Sequence, residues 1–398
     1  MSEQLTNKNV VLGVTGSIAC YKALDLASKL TQAGLNVDTI LTYGATQFVT
    51  PIAFRSITHR QVVTDIYDPN SEFSNEHVAL ARQADIIVIA PATVNCIAKL
   101  AMGMADDPLS TTVIATEAPV LIAPAMDANM YDHPATQQNL RTLENRGVTI
   151  VGPDIGRLAS GLSGKGRLVE PSQLLGHISA TLGKNGDLKG KKIVVSAGGT
   201  QEPIDPVRVI TNHSSGKMGY AIAEAARDRG AEVVLISAPT SLPDPPLVIM
   251  KRVQTAEEMC NIVMSEVANT DILIMSAAVA DYRPTESADQ KIKKSKTDLH
   301  IDLTKTDDIL EKVSGNFIKV GFSAESENLV ANASEKITRK ALDLIVANDI
   351  TDPDGGFGKD NNRVILIDRL MNQEELPLLS KYQVGNRILD KLLPMLSK

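Results

Sequence analysis

Tryptophan is absent from the 398-residue chain, and all aromatic residues together make up 3% of it. Binding single-stranded nucleic acid on stacked rings needs more than that, and a net charge of −7 offers a polyanion no basic face. Nucleic acid is therefore excluded as an expected partner. No run of about 18 apolar residues occurs, so no membrane-spanning helix is expected. The start, Met1-Ser2-Glu3-Gln4, has neither the basic nor the apolar region of an export signal. Cysteine is scarce: Cys20, Cys96 and Cys260 form an odd, scattered set with neither a disulfide framework nor zinc spacing. A reducing, cytoplasmic location is the expectation. His59, His77, His133, His177, His213 and His300 are too far apart in sequence for two to sit on one helix face as a metal pair.

What is present is enough apolar material, 43% against 22% charged, to bury real cores, in a chain long enough for two units at about 150 residues each. Apolar β-rich runs alternate with stretches of helical period. Asn9 to Thr15 reads as a strand, followed by a helix with Ala23, Leu26, Ala27 and Leu30 on one face and a stop at Gly34. The unbroken apolar runs Asp85 to Ala90 and Pro119 to Ala123 fit parallel strands covered on both sides. The pattern pauses in the polar stretch Gly183-Lys-Asn-Gly-Asp-Leu-Lys-Gly190, read as a linker, and restarts at Lys192. The second half repeats the scheme, with strands expected near 192–196, 232–237, 271–276, 317–322 and 342–346 and helices near 217–229, 255–268, 327–341 and 380–396. The expected fold class is α/β, two Rossmann-like doubly wound domains over residues 1–184 and 190–398.

In the first half, Gly13-Val-Thr-Gly-Ser-Ile-Ala19 joins the first strand to its helix. Its backbone N–H groups and the Ser17 hydroxyl would face an anion at the helix start, although such turns also form simply to connect the two elements. The loop lacks the full G-x-G-x-x-G fingerprint of a dinucleotide site. Ala90-Pro-Ala-Thr-Val-Asn95, Met104-Ala-Asp-Asp-Pro-Leu109 and Pro124-Ala-Met-Asp-Ala-Asn-Met-Tyr131 place polar and soft side chains on the same rim, at the carboxyl ends of strands where doubly wound sheets bind ligands. This combination resembles the flavin-dependent cysteine decarboxylases, in particular phosphopantothenoylcysteine decarboxylase, over residues 8–180. The resemblance implies a flavodoxin-like flavoprotein domain holding FMN through Gly16, Ser17, Thr42, Thr93, Asn95 and the Asp106 to Ser110 region. It also implies a catalytic His77 within Glu76-His77-Val-Ala-Leu80, where a lone histidine otherwise serves more often as a structural hydrogen-bond partner. Asp127 and Met130 would contact substrate, and Gly156-Arg-Leu-Ala-Ser-Gly-Leu-Ser-Gly-Lys-Gly-Arg167 matches the mobile substrate flap, which read by itself is a glycine-rich loop. Two positions depart from the family pattern: Asp127 stands where an asparagine is usual, and Ser160 where many members carry a proton-donating cysteine. A serine hydroxyl is a far weaker acid, and a carboxylate at 127 would repel the substrate carboxylate unless protonated or turned away.

In the second half, Ser196-Ala-Gly-Gly-Thr200 follows a strand, and Asn212-His-Ser-Ser-Gly-Lys-Met-Gly219 opens a helix with small residues and hydroxyls, again an expected phosphate seat. Lys291-Ile-Lys-Lys294 is a basic cluster in an acidic chain; such clusters usually mark a solvated face, but a triphosphate needs fixed positive charge. Together with Asp205-Pro-Val-Arg208 and Ala277-Ala-Val-Ala-Asp-Tyr282, these motifs resemble phosphopantothenate–cysteine ligase over about residues 190–398. That resemblance implies CTP and Mg²⁺, with 4′-phosphopantothenate and cysteine as the other substrates. Asn212 would hold the acyl-cytidylate and Lys291 would stabilise charge as the amine attacks. Ala277, Asp281, Phe322, Lys336, Lys340 and the Lys305 to Ile309 loop would contact the nucleotide, and Asp281 would act through Mg²⁺. Lys336 and Lys340 could equally form an exposed i,i+4 face, and Gly199, where a proline is common, should be tolerated in a turn.

The resemblance thus implies a bifunctional enzyme of coenzyme A biosynthesis, a homo-oligomer of flavin-domain trimers and ligase-domain dimers. Two alternatives stand beside it: an active ligase with a flavin half that is silent or stops at oxidative decarboxylation, and a nucleotide-sensing protein without chemistry.

Overall fold

The computed structural model describes residues 5–67, 76–294, 299–325, 329–349 and 358–396. The Met1 to Gln4 start and the first residues of the helix expected over 327–341 lie outside them. Contacts divide the chain into two compact units, one up to Gly183 and one from Lys184 onward.

The first unit is built on strand Asn9–Val14, whose alternating side chains feed two separate cores. Val10, Leu12 and Val14 pack with helices Cys20–Gln32 and Pro171–Gly183, and Val11 packs with helices Val94–Met102 and Pro134–Asn145. The period of two along a strand forces this split, so a strand buried on both faces must be apolar throughout. All six strands are parallel, in the order Val62–Val63, Asn36–Leu41, Asn9–Val14, Ile86–Ala92, Val120–Pro124, Thr149–Ile150. The chain runs outward from the central strand in one direction and then returns to its other side. The reversal leaves a crevice at the carboxyl ends of Asn9–Val14 and Ile86–Ala92. Outside this sheet, Asp154–Arg157 and Ser163–Arg167 form an antiparallel hairpin within the glycine-rich stretch.

The second unit repeats the plan in an eight-stranded sheet. Six strands are parallel, in the order Ile249–Arg252, Glu232–Ser237, Lys192–Ala197, Ile272–Met275, Ile318–Glu325, Leu344–Asp349. Val364–Asp368 and Gln373–Glu375 then close one edge antiparallel. Three of these strands are absent from the sequence reading. Ile249–Arg252 has only two apolar residues and lies at the other edge with Lys251 and Arg252 exposed, and the antiparallel pair breaks the strand–helix alternation on which the reading relied.

The polar stretch read as a linker is part of the second unit from Lys184 onward. Leu188 is fully buried and its N–H donates to the Arg229 carbonyl at 3.0 Å. The buried Arg229 guanidinium donates to both oxygens of Asp187, at 2.9 and 2.6 Å, and to Asp390 of the C-terminal helix Lys381–Leu396 at 2.7 Å. This clamp joins the start of the unit to its end. Removing one partner of a buried ion pair costs about 3–5 kcal/mol. Asp187 and Asp390 are 26% and 55% exposed, so the expected loss for Arg229→Ala is smaller, about 2 kcal/mol. Hydrogen exchange of residues 381–396 in the full chain measures it as lowered protection of that helix.

Candidate active sites

At the crevice of the first unit, helix Cys20–Gln32 starts from Ala19, which has no side chain able to cap it. No side chain caps its first turn, where Cys20 N and Lys22 N bond back to the Ser17 and Ala19 carbonyls, each at 3.0 Å. The preceding turn is tight: Ser17 accepts from Cys20 N at 3.0 Å through its carbonyl and from Ala19 N at 3.2 Å through its hydroxyl. Gly16 allows this turn to touch a neighbouring loop, because a Cβ there would stand 2.8 Å from the Gly44 carbonyl carbon. That approach brings Thr42 to the rim, where its hydroxyl caps the short helix Tyr43–Thr46.

Thr15, missed in the sequence reading, ties the crevice together. Its buried hydroxyl donates to the Pro91 carbonyl at 2.7 Å and accepts from Thr93 N at 3.0 Å. Thr93 in turn caps Val94–Met102, whose first turn carries the exposed Asn95. The hydroxyl at the last buried position of the first strand was the available signal. Asp106 and Asp107 both pair with Lys99 at 2.8 Å. Ser110 is buried and reciprocates with Asp107 in a capping box, so its hydroxyl serves the helix Pro108–Ala115 and not the rim.

A cavity of about 460 Å³ lies between the helix start and the hairpin, with Ser17, Tyr21, Asp127, Arg157 and Ser160 among its walls. The Ser160 hydroxyl donates to Asp127 Oδ2 at 2.6 Å, and Asn129 N donates to Asp127 Oδ1 at 3.0 Å. These two bonds hold the Asp127 carboxyl below the usual carboxylate range, the Ser160 bond foremost. Of the residues expected at this site, the structure thus brings Ser17, Asp127 and Ser160 into one cavity. His77, half-buried in the first turn of Glu76–Gln83, does not line it, nor does the exposed Met130, and of the residues expected to hold FMN, Gly16, Thr42, Thr93, Asn95, Asp106 and Ser110 also lie outside its walls.

The second unit encloses a larger cavity of about 1230 Å³, lined by Asn212, Ala277, Asp281, Phe322, Lys340 and the Lys305 to Ile309 loop. Helix Lys217–Arg227 opens into it from Gly216, at φ 75° and with no side-chain cap. Ordinary residues avoid that φ, and Gly216 adopts it freely. Two strand-end loops are fastened above this helix start: Thr200 N donates to the Ala278 carbonyl at 3.3 Å, and Ala280 N donates to the Thr200 hydroxyl at 2.9 Å. The Ser196 hydroxyl accepts from Ala277 N at 3.0 Å. The Asn212 amide donates to the Val279 carbonyl at 3.1 Å. Gly199 does more than occupy a turn, since a Cβ there would lie 2.8 Å from the Asn212 carbonyl oxygen.

Lys340 is no exposed helix-face lysine: it is 16% exposed and pairs with Asp308 at 2.7 Å. Lys336 donates to Ser323, itself a wall residue, at 3.0 Å. Lys217, another wall residue unforeseen from sequence, bonds Asp360 at 2.7 Å and the Gly358 carbonyl at 3.0 Å. Lys291 does not line the cavity, but its neighbour is pinned. Ile292 N donates to Asp205 Oδ2 at 3.1 Å, and Arg208, itself bonded to Asp205, donates to the Ile292 carbonyl at 2.8 Å. No group of three or more metal-ligating side chains is found among the described residues. Asp281 and Asp307 line the same cavity, with Asp307 paired to Lys312 at 2.5 Å; Asp281 alone is compatible with Mg²⁺, which takes one or two carboxylates and completes its shell with phosphate and water.

Two doubly wound units, each with a helix start lacking a side-chain cap at the carboxyl edge of its sheet and a cavity beside it, define a two-domain α/β protein of the kind that takes ligands at that edge. Residues 1–183 match the Flavoprotein family and residues 188–395 match the DNA/pantothenate metabolism flavoprotein C-terminal domain. The coenzyme A biosynthesis bifunctional protein of Bacillus subtilis (strain 168) is 44% identical over 394 residues, covering 98% of this chain and 97% of that one. Its counterpart in Escherichia coli (strain K12) is 43% identical over 395 residues, at 98% and 97%. A crystal structure of the C-terminal domain of such a protein is 40% identical, covers 53% of this chain and 98% of that one, and has a TM-score of 0.46. The chain belongs to the family of bifunctional coenzyme A biosynthesis proteins.

The Asp205 network has a pH signature. Arg208, then the N–H groups of Val207, Ile292 and Arg208, hold the Asp205 carboxyl well below the usual carboxylate range. A depressed folded-state pKa contributes stability that is fully present above the unfolded value of about 3.9 and is lost as pH falls below it. Urea midpoints taken from pH 6 down to pH 3 should therefore fall less steeply in Asp205→Asn than in the parent, once the variant's lower starting value is subtracted.

Proposed function

We propose that the second unit ligates cysteine to 4′-phosphopantothenate at the expense of CTP, and that the first decarboxylates the product to 4′-phosphopantetheine with FMN. The observation that carries this reading is the pair of uncapped helix starts, each opening on a cavity in a chain of this family.

In the ligase, the carboxylate of 4′-phosphopantothenate attacks the α-phosphorus of CTP and expels pyrophosphate, which turns a poor leaving oxygen into a good one. The N–H groups after Gly216 receive phosphate oxygens, and Lys340, Lys336 and the Lys305 to Ile309 loop supply charge and fit around the nucleotide with Ala277 and Phe322. Asn212, aimed by its bond to Val279, holds the acyl-cytidylate. Lys291, on the segment pinned by Asp205 and Arg208, stabilises the charge that develops as the cysteine amine attacks the acyl carbon and CMP leaves. Asp281 is the proposed Mg²⁺ contact.

In the decarboxylase, the turn at Gly16 and Ser17, with Thr42, Thr93, Asn95 and the backbone near Asp106, holds the FMN phosphate and ring system. Bound there, FMN would supply a two-electron acceptor for oxidation of the substrate to a thioaldehyde and the electrons that restore the product once CO₂ has left. His77 takes the proton lost in that oxidation, the general-base work that an imidazole commonly does. A homo-oligomer, with flavin domains in trimers and ligase domains in dimers, fits two observations: His77 stands apart from the cavity of its own unit, and Ile18, Tyr21, Tyr43, Phe48 and Ile52 are exposed near the rim. The three cysteines are free and buried, which suits a cytoplasmic setting.

One observation favours a second reading in which the flavin half stops after oxidative decarboxylation. Ser160 directs its only hydroxyl proton to Asp127, so this hydroxyl does not stand in for an acid that would complete the reduction. Mass detection separates the two products, which differ by two hydrogens.

A coupled assay from 4′-phosphopantothenate, cysteine and CTP to the final product tests the whole. The purified protein should be yellow. His77→Asn should keep its flavin and its pyrophosphate release while decarboxylation falls by about 10²-fold or more. Asn212→Asp should lose ligation and still decarboxylate added 4′-phosphopantothenoylcysteine. Absence of flavin, or pyrophosphate release without need of all three substrates, contradicts the assignment.

A further inference from the structure

We propose that Asp127 and Ser160 form a latch that seats the hairpin spanning residues 154–167 over the first cavity, and that Asp127 is a positioning residue and not a contact to substrate. The proposal rests on the decarboxylase reading for its consequence, though not for its geometry.

The hairpin needs an external support. Its two strands pair only with each other, and an isolated two-stranded ribbon is marginal in water. Ile155 and Leu162 are 79% and 55% exposed, and Leu158, 9% exposed, is the one apolar side chain that the tip buries against the cavity. Its second strand is well fixed to the body of the unit. Met126 N donates to the Gly166 carbonyl at 3.0 Å. A Cβ at Gly166 would stand 2.2 Å from the Met126 carbonyl oxygen, and one at Gly164 would stand 2.7 Å from Ala128 Cβ, so only glycine permits this approach. Lys165 lies 5.0 Å from the centre of the Tyr131 ring. None of these contacts reaches the tip.

At the tip, Leu158 N bonds to the Leu162 carbonyl within the hairpin itself. The Ser160 bond to Asp127, at 2.6 Å, is the tip's hydrogen bond to the body among the described residues. Its length falls in the range of a hydroxyl bonded to an ionised carboxylate, about 2.5–2.7 Å. At the same time Asp127 Oδ1 accepts from Asn129 N, so that Asp127 caps the helix Ala128–Asp132. Both carboxylate oxygens are therefore engaged inside the protein, one in fixing the local turn and one in fixing the hairpin. With the tip down, Arg157 and Ser160 wall the cavity opposite Ser17 and Tyr21. With the tip released, that wall is lost while the base of the hairpin stays in place. Two residues 33 positions apart thus act as one device.

Trypsin tests this on the full-length protein, because Arg157 lies at the tip side of the hairpin and Lys165 and Arg167 at its anchored strand. Ser160→Ala should speed cleavage after Arg157 by about 10-fold, with little change after Lys165 and Arg167. Ser160→Thr keeps the hydroxyl and should restore the parent rate. Asp127→Asn keeps the helix cap and weakens the latch, and the double variant should be cleaved no faster than Ser160→Ala alone, since contacting residues are not additive. Both single variants should raise KM for 4′-phosphopantothenoylcysteine more than they lower kcat, with flavin content unchanged. Unaltered cleavage in Ser160→Ala, or a double variant whose effect is the product of the two singles, overturns the proposal. So does Asp127→Asn raising KM while cleavage stays at the parent rate, which would make Asp127 a direct substrate contact. The cleavage rates are read without substrate, so failure of the decarboxylase assignment would leave them standing.

Discussion

Backbone N–H groups at the start of a helix must find a partner, and at two helix starts that open on cavities no side chain provides one. Helix Cys20–Gln32 begins at Ala19 and helix Lys217–Arg227 at Gly216, both without a side-chain cap. Several other helices are capped by side chains: Asp107 with Ser110, Thr255 with Glu258, Asp308 alone. A missing cap leaves about 1 kcal/mol of helix stability unrealised. In both units the uncapped start lies at the carboxyl edge of the sheet and beside a cavity, where an anionic group completes what the chain leaves open. The fold of each half serves to hold that edge still.

It is held by hydroxyls that reach between neighbouring strands. Thr15 links the first strand to the fourth at the point where the strand order reverses, and Ser196 and Thr200 do the same for the loops of the second unit. Each is buried, so each must find a partner, and its partner lies on the loop that has to be positioned. Packing and polar satisfaction therefore specify the same geometry. The ligase half adds a third fastening, in which Asp205 and Arg208 grip both backbone groups of Ile292 and thereby carry Lys291.

Much of this was legible in the sequence where the signal is local. Unbroken apolar runs marked the central strands, glycines marked helix ends, and the glycine-rich turns marked both crevices. The long motifs of the second half led to the family that the comparisons show. What sequence hid depends on contacts between distant residues. Thr15 and Thr200 look like ordinary strand-end hydroxyls until their partners, 76 and 80 positions away, are known. The stretch 184–190 is polar enough to read as a linker, yet Leu188 and the pairing of Asp187 with Arg229 fold it into the second unit. Asp127 and Ser160 were two separate departures from a family pattern; in space they are a single hydrogen bond.

The central claim is that two anions are seated at the two uncapped helix starts, and amide hydrogen exchange with added ligand tests it most directly. FMN added to flavin-free protein should protect the amides of residues 17–22 and leave 216–220 unchanged, and CTP should do the reverse. Exchange at both segments that ignores both ligands, or one ligand that protects both segments equally, would contradict the account.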